Sequence, residues 1–226
     1  MLNRNHLSAK TDKSIAMLII LLLLPACRST TRIDEYRQGP VTNISAKDAV
    51  VVLGRRFSSG HETETDFISC VGKALAGHEN TISVIPEKQF VDAMYPYFET
   101  STAPMDVKNL GALVKNPAIA KKFADFHLRF FVWIDGSTET TDKKGSISCA
   151  IGPGGGGCFG FATWDDAANY EASIWDFKTL QLAGKINAET EGTSYLPAII
   201  IPVPLLARVE SHACQSMAKQ LKSFLH

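Results

Sequence analysis

The sequence predicts a single layered α/β domain with a mixed sheet, and two observations support this. Strand-like runs at 48–53 and 81–85 flank a stretch with helical spacing at 66–76, which indicates an early βαβ unit. From residue 128 onward, strand-like runs follow one another and then give way to one amphipathic stretch. We therefore expect later antiparallel strands, helices mainly on one face of the sheet and a C-terminal helix.

The helices of the first half carry recognisable start signals. Pro86 suits the first turn of a helix that places Phe90, Val91 and Met94 on one side. Residues 110–114 form one or two further helical turns. Asn116-Pro117 is an N-cap followed by an N1 proline, which predicts another helix through Ala124.

The second half is predicted from short strands. Asp135-Gly136 should end the first of them, and the Pro-rich segment 196–204 should connect the last one to the final helix. That helix carries four apolar side chains on one face: Val209, Ala213, Met217 and Leu221. The predicted strands are 128–134, 146–150, 159–164, 169–177 and 179–187.

Residues 1–26 have the pattern of an export signal. Basic side chains precede the apolar run 15–24, which is too short to span a bilayer of about 30 Å as a helix. The run leads into Leu24-Pro25-Ala26-Cys27, which resembles the lipobox of bacterial lipoproteins. The resemblance implies that Cys27 carries a thioether-linked diacylglycerol and an N-acyl chain such as palmitate. Several acyl chains anchor a protein durably to a membrane.

The residue after Cys27 is Arg28 rather than the aspartate that typically retains such lipoproteins in the inner membrane. The resemblance therefore implies the outer membrane, with the protein on its periplasmic face. Residues 27–47 are predicted to be the lipidated N-terminus and a flexible tether, since they are polar and show no sustained period. Residues 48–226 are predicted to form the periplasmic domain.

Four further cysteines are even in number, which in an exported chain favours disulfides. Three connectivities are possible, and four reduced, buried cysteines remain the alternative. Cys149 and Cys158 flank a glycine-rich loop and are the easiest pair to close, which leaves Cys70 with Cys214. The last two lie near the apolar sides of predicted helices, where a bridge between packed helices would form.

The hairpin formed by residues 170–177, Lys178-Thr179 and residues 182–186 resembles a group of periplasmic lipoproteins. The group includes the curli-secretion lipoprotein, the outer-membrane activators of penicillin-binding proteins and the N-terminal domain of the Tol-system translocation protein. The resemblance covers about residues 48–225 in element order and implies a scaffold or partner-binding role. It transfers no active site.

No pattern for catalysis, metal or cofactor binding stands out. The glycine loop 152–157 satisfies G-x-G-x-x-G, but the following residues read as a strand rather than the helix that phosphate binding needs. Asp165-Asp166 is a pair of adjacent carboxylates, which are poorly placed to share a proton when they lie on a strand, and a turn is the favoured interpretation. Gly192-Thr-Ser194 is only half of a nucleophile elbow.

We predict a non-catalytic, lipid-anchored envelope protein that acts as a periplasmic scaffold or adaptor, binding a protein partner or its own copies. From Cys27 onward, 20 Lys and Arg stand against 22 Asp and Glu, so no basic field favours nucleic acid. One alternative is a periplasmic hydrolase or transferase acting on peptidoglycan or glycan. Another is a subunit of an oligomeric ring or secretion pore. The apolar segment 196–206 is either buried or an exposed contact surface.

Overall fold

The computed structural model describes residues 29–39, 43–56, 62–77 and 82–226. These residues form one mixed six-stranded sheet with five helices, which confirms the predicted α/β class and the C-terminal helix. The predicted signal segment and Cys27 lie outside the described residues.

The strands alternate with helices in the first half of the chain and follow one another in the second half. The sheet order is β1-β6-β5-β4-β2-β3, and β2 pairs in parallel with both β3 and β4. The strands are β1 Ser29–Arg37, β2 Ala49–Gly54, β3 Ser83–Ile85, β4 Leu128–Gly152, β5 Gly155–Asp176 and β6 Gln181–Pro202. The helices are α1 Thr65–Ala76, α2 Glu87–Met94, α3 Val107–Val114, α4 Pro117–Asp125 and α5 Val209–Leu225.

The helices cover both faces of the sheet, not mainly one as we expected. Side chains alternate along β2, so Val50 and Val52 join the core beneath α1 and α5 while Val51 joins the core beneath α2, α3 and α4. The nearly continuous apolar run of β2 is the sequence sign of a strand buried on both faces. This central strand therefore requires a helical layer on each side.

Residues 29–37, which we expected to belong to a flexible tether, form the edge strand β1. The strand pairs antiparallel with β6 from Ser29 opposite Gly192 to Arg37 opposite Gly184. Only Ile33 packs against the core, so the strand lacks the apolar alternation that would reveal it in the sequence. The folded unit consequently begins well before residue 48.

Two predicted features of the helices are confirmed. The Asn116 side chain accepts a hydrogen bond from the Ala118 N–H at 3.0 Å, and Pro117 opens α4. The structure also contains a disulfide between Cys70 on α1 and Cys214 on α5. These two helices share one face of the sheet, so the bond joins neighbours that already pack together.

Strand β4 does not end at Asp135-Gly136. The strand continues to Gly152, because Gly136 adopts a φ of 134° that keeps it in register opposite Tyr170. A Cβ at this position would clash with the backbone carbonyl of Asn169. Gly136 therefore bends the sheet at a close backbone approach instead of ending the strand.

We predict that Gly136→Ala lowers the free energy of unfolding by about 2–4 kcal/mol, because it adds a backbone clash to an unfavourable φ. Gly152→Ala is the control, since a Cβ there would meet nothing within 4 Å. The control should change stability by less than about 0.5 kcal/mol. Denaturant unfolding of the oxidised protein measures both, and equal effects would contradict our explanation of Gly136.

Candidate functional site: a three-stranded extension

Strands β4, β5 and β6 run far beyond the helices. We call residues 135–167 of the β4–β5 hairpin, together with residues 193–202 of β6, the extension. No side chain between residues 135 and 167 is buried. From Glu139 to Gly152 alone, β4 spans roughly 40 Å at about 3.3 Å per residue. The extension is therefore held by strand pairing and not by a hydrophobic core.

The outer edge of β4 is open along most of the extension. Strand β2 pairs with β4 only as far as Ile134. The Glu64 carboxylate then accepts hydrogen bonds from the Thr138 N–H at 2.8 Å and the Tyr170 hydroxyl at 3.0 Å. Past Thr138, no strand among the described residues pairs with this edge. Residues 139–152 therefore present unpaired backbone groups to solvent, as edge strands do.

The opposite edge of the extension is partly covered by the chain itself. After β6, residues 203–207 turn back along the strand, and Tyr195 and Leu205 exchange backbone hydrogen bonds of 2.8 Å. The Ser194 hydroxyl accepts a hydrogen bond from the Ala207 N–H at 3.0 Å. The β4 edge is consequently the more open of the two.

A belt of charged side chains crosses the middle of the extension. This charged belt consists of Asp142, Lys143 and Lys144 on β4 and of Asp165 and Asp166 on β5. Lys144 pairs with Asp142 at 2.6 Å, which lowers the pKa of Asp142 and raises that of Lys144. A bulge in β4 lies in the belt, and both charge and bulges discourage edge pairing.

The two aspartates of the belt hold strands together. Asp165 accepts a hydrogen bond from the Thr193 hydroxyl at 2.6 Å, and Asp166 accepts one from the Thr140 hydroxyl at 2.8 Å. They lie within β5 and not in the turn that we favoured, since the extension continues the strand through them. Neighbouring strand residues point to opposite faces, so the two carboxylates do not face a common site.

Beyond the belt the extension carries no charge. We call residues 145–164 and 193–207 the apolar tip, and they contain no Asp, Glu, Lys, Arg or His. Ile151 is 94% exposed and Ile199 is 76% exposed, although both belong to strands. The other large exposed apolar residues of the tip are Phe159, Phe161, Ile200, Ile201, Val203 and Leu206. A contiguous exposed apolar surface of this kind marks a contact site.

The end of the β4–β5 hairpin is closed by a disulfide. Cys149 and Cys158 lie directly opposite each other and are bonded. The turn itself is Pro153-Gly154, followed by Gly155 with a φ of 127°. The glycine loop thus connects two strands, as we predicted, and no helix N-terminus follows it to bind a phosphate.

A concave alternative lies at the carboxyl end of β2, in a crevice of about 50 Å³. Burial lowers the pKa of Arg55 there to about 10, so its guanidinium stays charged at neutral pH. The guanidinium lies 4.1 Å from the Trp133 ring and donates hydrogen bonds to the carbonyls of Pro104 and Met105. Arg55 therefore fastens the segment before α3 to the sheet, a structural role.

A larger groove of about 650 Å³ runs between α1 and α2. Glu87 lines both the groove and the crevice, where it accepts a hydrogen bond from the Gly54 N–H at 2.9 Å and pairs with Arg56 at 3.3 Å. Both contacts tie α2 to the end of β2. Neither concavity brings together a nucleophile, a base and an orienting group.

The predicted site residues fall in two places. Cys70 and Cys214 lie in the core, and Cys149 and Cys158 lie in the extension. Among the described residues, no group of three or more His, Cys, Asp or Glu could hold a metal ion. No helix within the described ranges is long and apolar enough to cross a membrane.

The extension was not predicted as a unit. We expected a strand to end at Asp135-Gly136 and a connection at 196–204, where the structure has continuous β4 and β6. Two sequence signals were available for it. Ser and Thr occupy four of the five positions after Gly136, and charge is absent from both 145–164 and 193–207.

The fold and the extension together define a mixed α/β domain that carries a long, apolar-tipped β arm. No protein-family model and no curated protein matches this chain. The solved structures that resemble it include two PelC dodecamers from Paraburkholderia phytofirmans.

The first is a PelC variant with 14% identity and a TM-score of 0.36, and the match covers 88% of this chain and 99% of that chain. The second has 15% identity and a TM-score of 0.35, covering 88% of this chain and 98% of that one. At this level of similarity, function has to be inferred from the chain's own residues. The predicted relation to the curli-secretion group stays a prediction.

We predict that the combined change Phe159→Ser and Phe161→Ser alters the free energy of unfolding by less than about 1 kcal/mol, because both rings are exposed. Phe131→Ala is the buried counterpart and should cost about 3–5 kcal/mol. Chemical denaturation compares the variants. A large loss for the exposed pair would mean that the tip supports folding and is not a free surface.

Proposed function

We propose that this protein is a non-catalytic, lipid-anchored component of the bacterial envelope, held at the periplasmic face of the outer membrane through Cys27. It acts as a scaffold or adaptor, and the extension binds a protein partner or further copies of the chain. One observation carries the proposal: the extension is large and exposed, and its β4–β5 hairpin contributes no buried side chain to the core.

The open edge of β4 supports binding by strand addition. Residues 139–152 offer a row of backbone donors and acceptors, and an added strand would satisfy them. The charged belt restricts where such pairing can occur, because Lys143 and Lys144 disfavour an unselected strand. A partner that pairs here therefore has to complement the belt as well as the edge.

The non-catalytic character is supported by the engagement of the polar groups. In the extension, Asp165 and Asp166 bond to hydroxyls on neighbouring strands. In the crevice, Arg55 and Glu87 hold backbone groups. These side chains bind the protein's own structure and do not converge on a free space.

Photo-crosslinking from the β4 edge tests the binding role. Glu139 is replaced by a benzophenone-bearing residue in the full chain, expressed in its own host and irradiated in intact envelopes. We expect discrete adducts, because Glu139 lies on the unpaired edge. An adduct of about twice the mass of the chain indicates self-association, and any other discrete mass indicates a partner.

The matched control places the same residue at Lys88 on α2, which is equally exposed but away from the extension. The control should give no discrete adduct. Adducts from Lys88 with none from Glu139 would contradict the proposal that the β4 edge is the binding element.

The anchor is tested separately by metabolic labelling with an alkyne-bearing fatty acid. The label should appear on the unaltered chain and be lost from Cys27→Ser, because only this cysteine follows the lipobox-like sequence. Cys70→Ala combined with Cys214→Ala is the control and should retain the label. An unlabelled parent chain would refute the anchor.

A further inference from the structure

We propose that the apolar tip is a second membrane contact, which inserts shallowly into the same lipid leaflet that holds Cys27. The inference rests on the lipid anchoring proposed above. It adds that the surface contacted by the apolar tip is the lipid bilayer. The position of the start of β1, the composition of the tip and the placement of its aromatic residues each support this inference.

The start of β1 lies at the base of the tip. Ser29 is in register opposite Gly192, and β6 enters the apolar tip at the next residue. One residue, Arg28, separates Ser29 from Cys27, and the two steps along the chain span at most about 7 Å. The proposed anchor is therefore tied close to the tip, with too short a linker to lift the extension away from the bilayer.

The composition of the tip matches a lipid environment. The tip contains no charged side chain, and six of its eight large exposed apolar residues are Ile or Phe. From Gly145 to Gly152 the hairpin is roughly 23 Å long at about 3.3 Å per residue, so with the anchor at its base it enters the leaflet at a shallow angle when only its end is submerged. A surface that binds a protein ordinarily has polar and charged residues at its rim. Protein binding alone would not require an uncharged zone of this length.

Aromatic side chains mark the boundary between the charged belt and the tip. Trp164 lies opposite Lys143, and Tyr195 lies opposite Thr163 in the adjoining strand. Phe161 packs near Tyr195, with ring centroids 6.1 Å apart. Trp and Tyr prefer the membrane–water interface because one end of each ring system is polar. The order charge, aromatic, aliphatic along the extension is that of a segment entering a bilayer.

The open β4 edge limits the depth of insertion. Unpaired backbone groups cannot be left in the hydrocarbon core, so a single copy can lower only the end of the hairpin into the boundary between headgroups and acyl chains. Insertion of about 5–10 Å is typical for such interfacial contacts. This depth covers Ile151 at the hairpin end and the neighbouring Ile200 and Ile201.

Depth-dependent quenching tests the inference. Ile151→Trp is introduced into the full chain, which is purified from its host and reconstituted in phosphatidylethanolamine–phosphatidylglycerol vesicles with brominated acyl chains. The fluorescence added by the new tryptophan should be blue-shifted and strongly quenched, because bromine lies within reach of an inserted tip. Tyr95→Trp is the control, since Tyr95 is exposed and lies after α2, far along the chain from the extension. Its added fluorescence should stay unquenched.

Charge at the tip supplies a second variant. Ile199→Asp combined with Ile201→Asp should abolish most of the quenching at Trp-substituted Ile151, because carboxylates resist transfer into lipid. Both side chains are exposed, so the change should leave folding intact. Retained quenching in this variant would contradict insertion of the tip.

The outcomes separate the tip from the anchor. Absence of quenching at position 151 in vesicle-bound protein overturns the tip contact and leaves the anchor standing. Quenching in a protein whose Cys27 carries no lipid supports the tip contact while the anchor fails. Crosslinks from a benzophenone at position 151 to another copy or to a second protein, with none to lipid, would replace the lipid surface by that occupant.

Discussion

The long antiparallel register between β4 and β5, shifted at a single bulge, is the constraint on which the rest of the structure depends. It begins in the core with Phe130 opposite Asp176 and runs to Gly152 opposite Gly155. Near its start, Asp176 pairs with the buried Arg129 at 2.8 Å and accepts the Lys178 N–H, which fixes the β5–β6 turn. A slip of one residue would move every side chain to the opposite face, so the buried part of the ladder sets the register of the exposed part.

The core was predictable because burial leaves a period in the sequence. Strand β2, the helix starts at Pro86 and Pro117 and the last helix were all found in this way. Strand β1 and residues 135–145 of β4 were not, because strands with no buried face have no apolar alternation to detect. These strands form because a neighbouring strand supplies their backbone hydrogen bonds. A strand's own sequence does not reveal which strand will pair with it. The placement of helices on both faces of the sheet was not predictable either, because it depends on how the whole sheet is assembled.

The disulfide bonds of the chain were predictable from the sequence, but the length and exposure of the extension were not. The pairs Cys149–Cys158 and Cys70–Cys214 followed from spacing and from helix faces, and the structure contains both. The apolar segment 196–206 was noted without a decision between burial and exposure. The segment is exposed because β6 extends beyond the helices. No local sequence pattern indicates how long β6 is. Asp165 and Asp166 were expected in a turn for the same reason, since a charged pair inside a strand is uncommon unless neighbouring hydroxyls bind it.

The disulfide between the first and last helices has a consequence for the order of assembly. Its cysteines are 144 residues apart, and strands β3 to β6 all lie between them. In a chain exported N-terminus first, Cys70 would reach the oxidising compartment long before Cys214. The Cys149–Cys158 bond encloses far less chain, and both of its cysteines would arrive before Cys214. The hairpin of the extension can thus be closed by its disulfide before the first and last helices are joined by theirs. In such a chain the apolar tip would be the first part of the molecule to be covalently constrained.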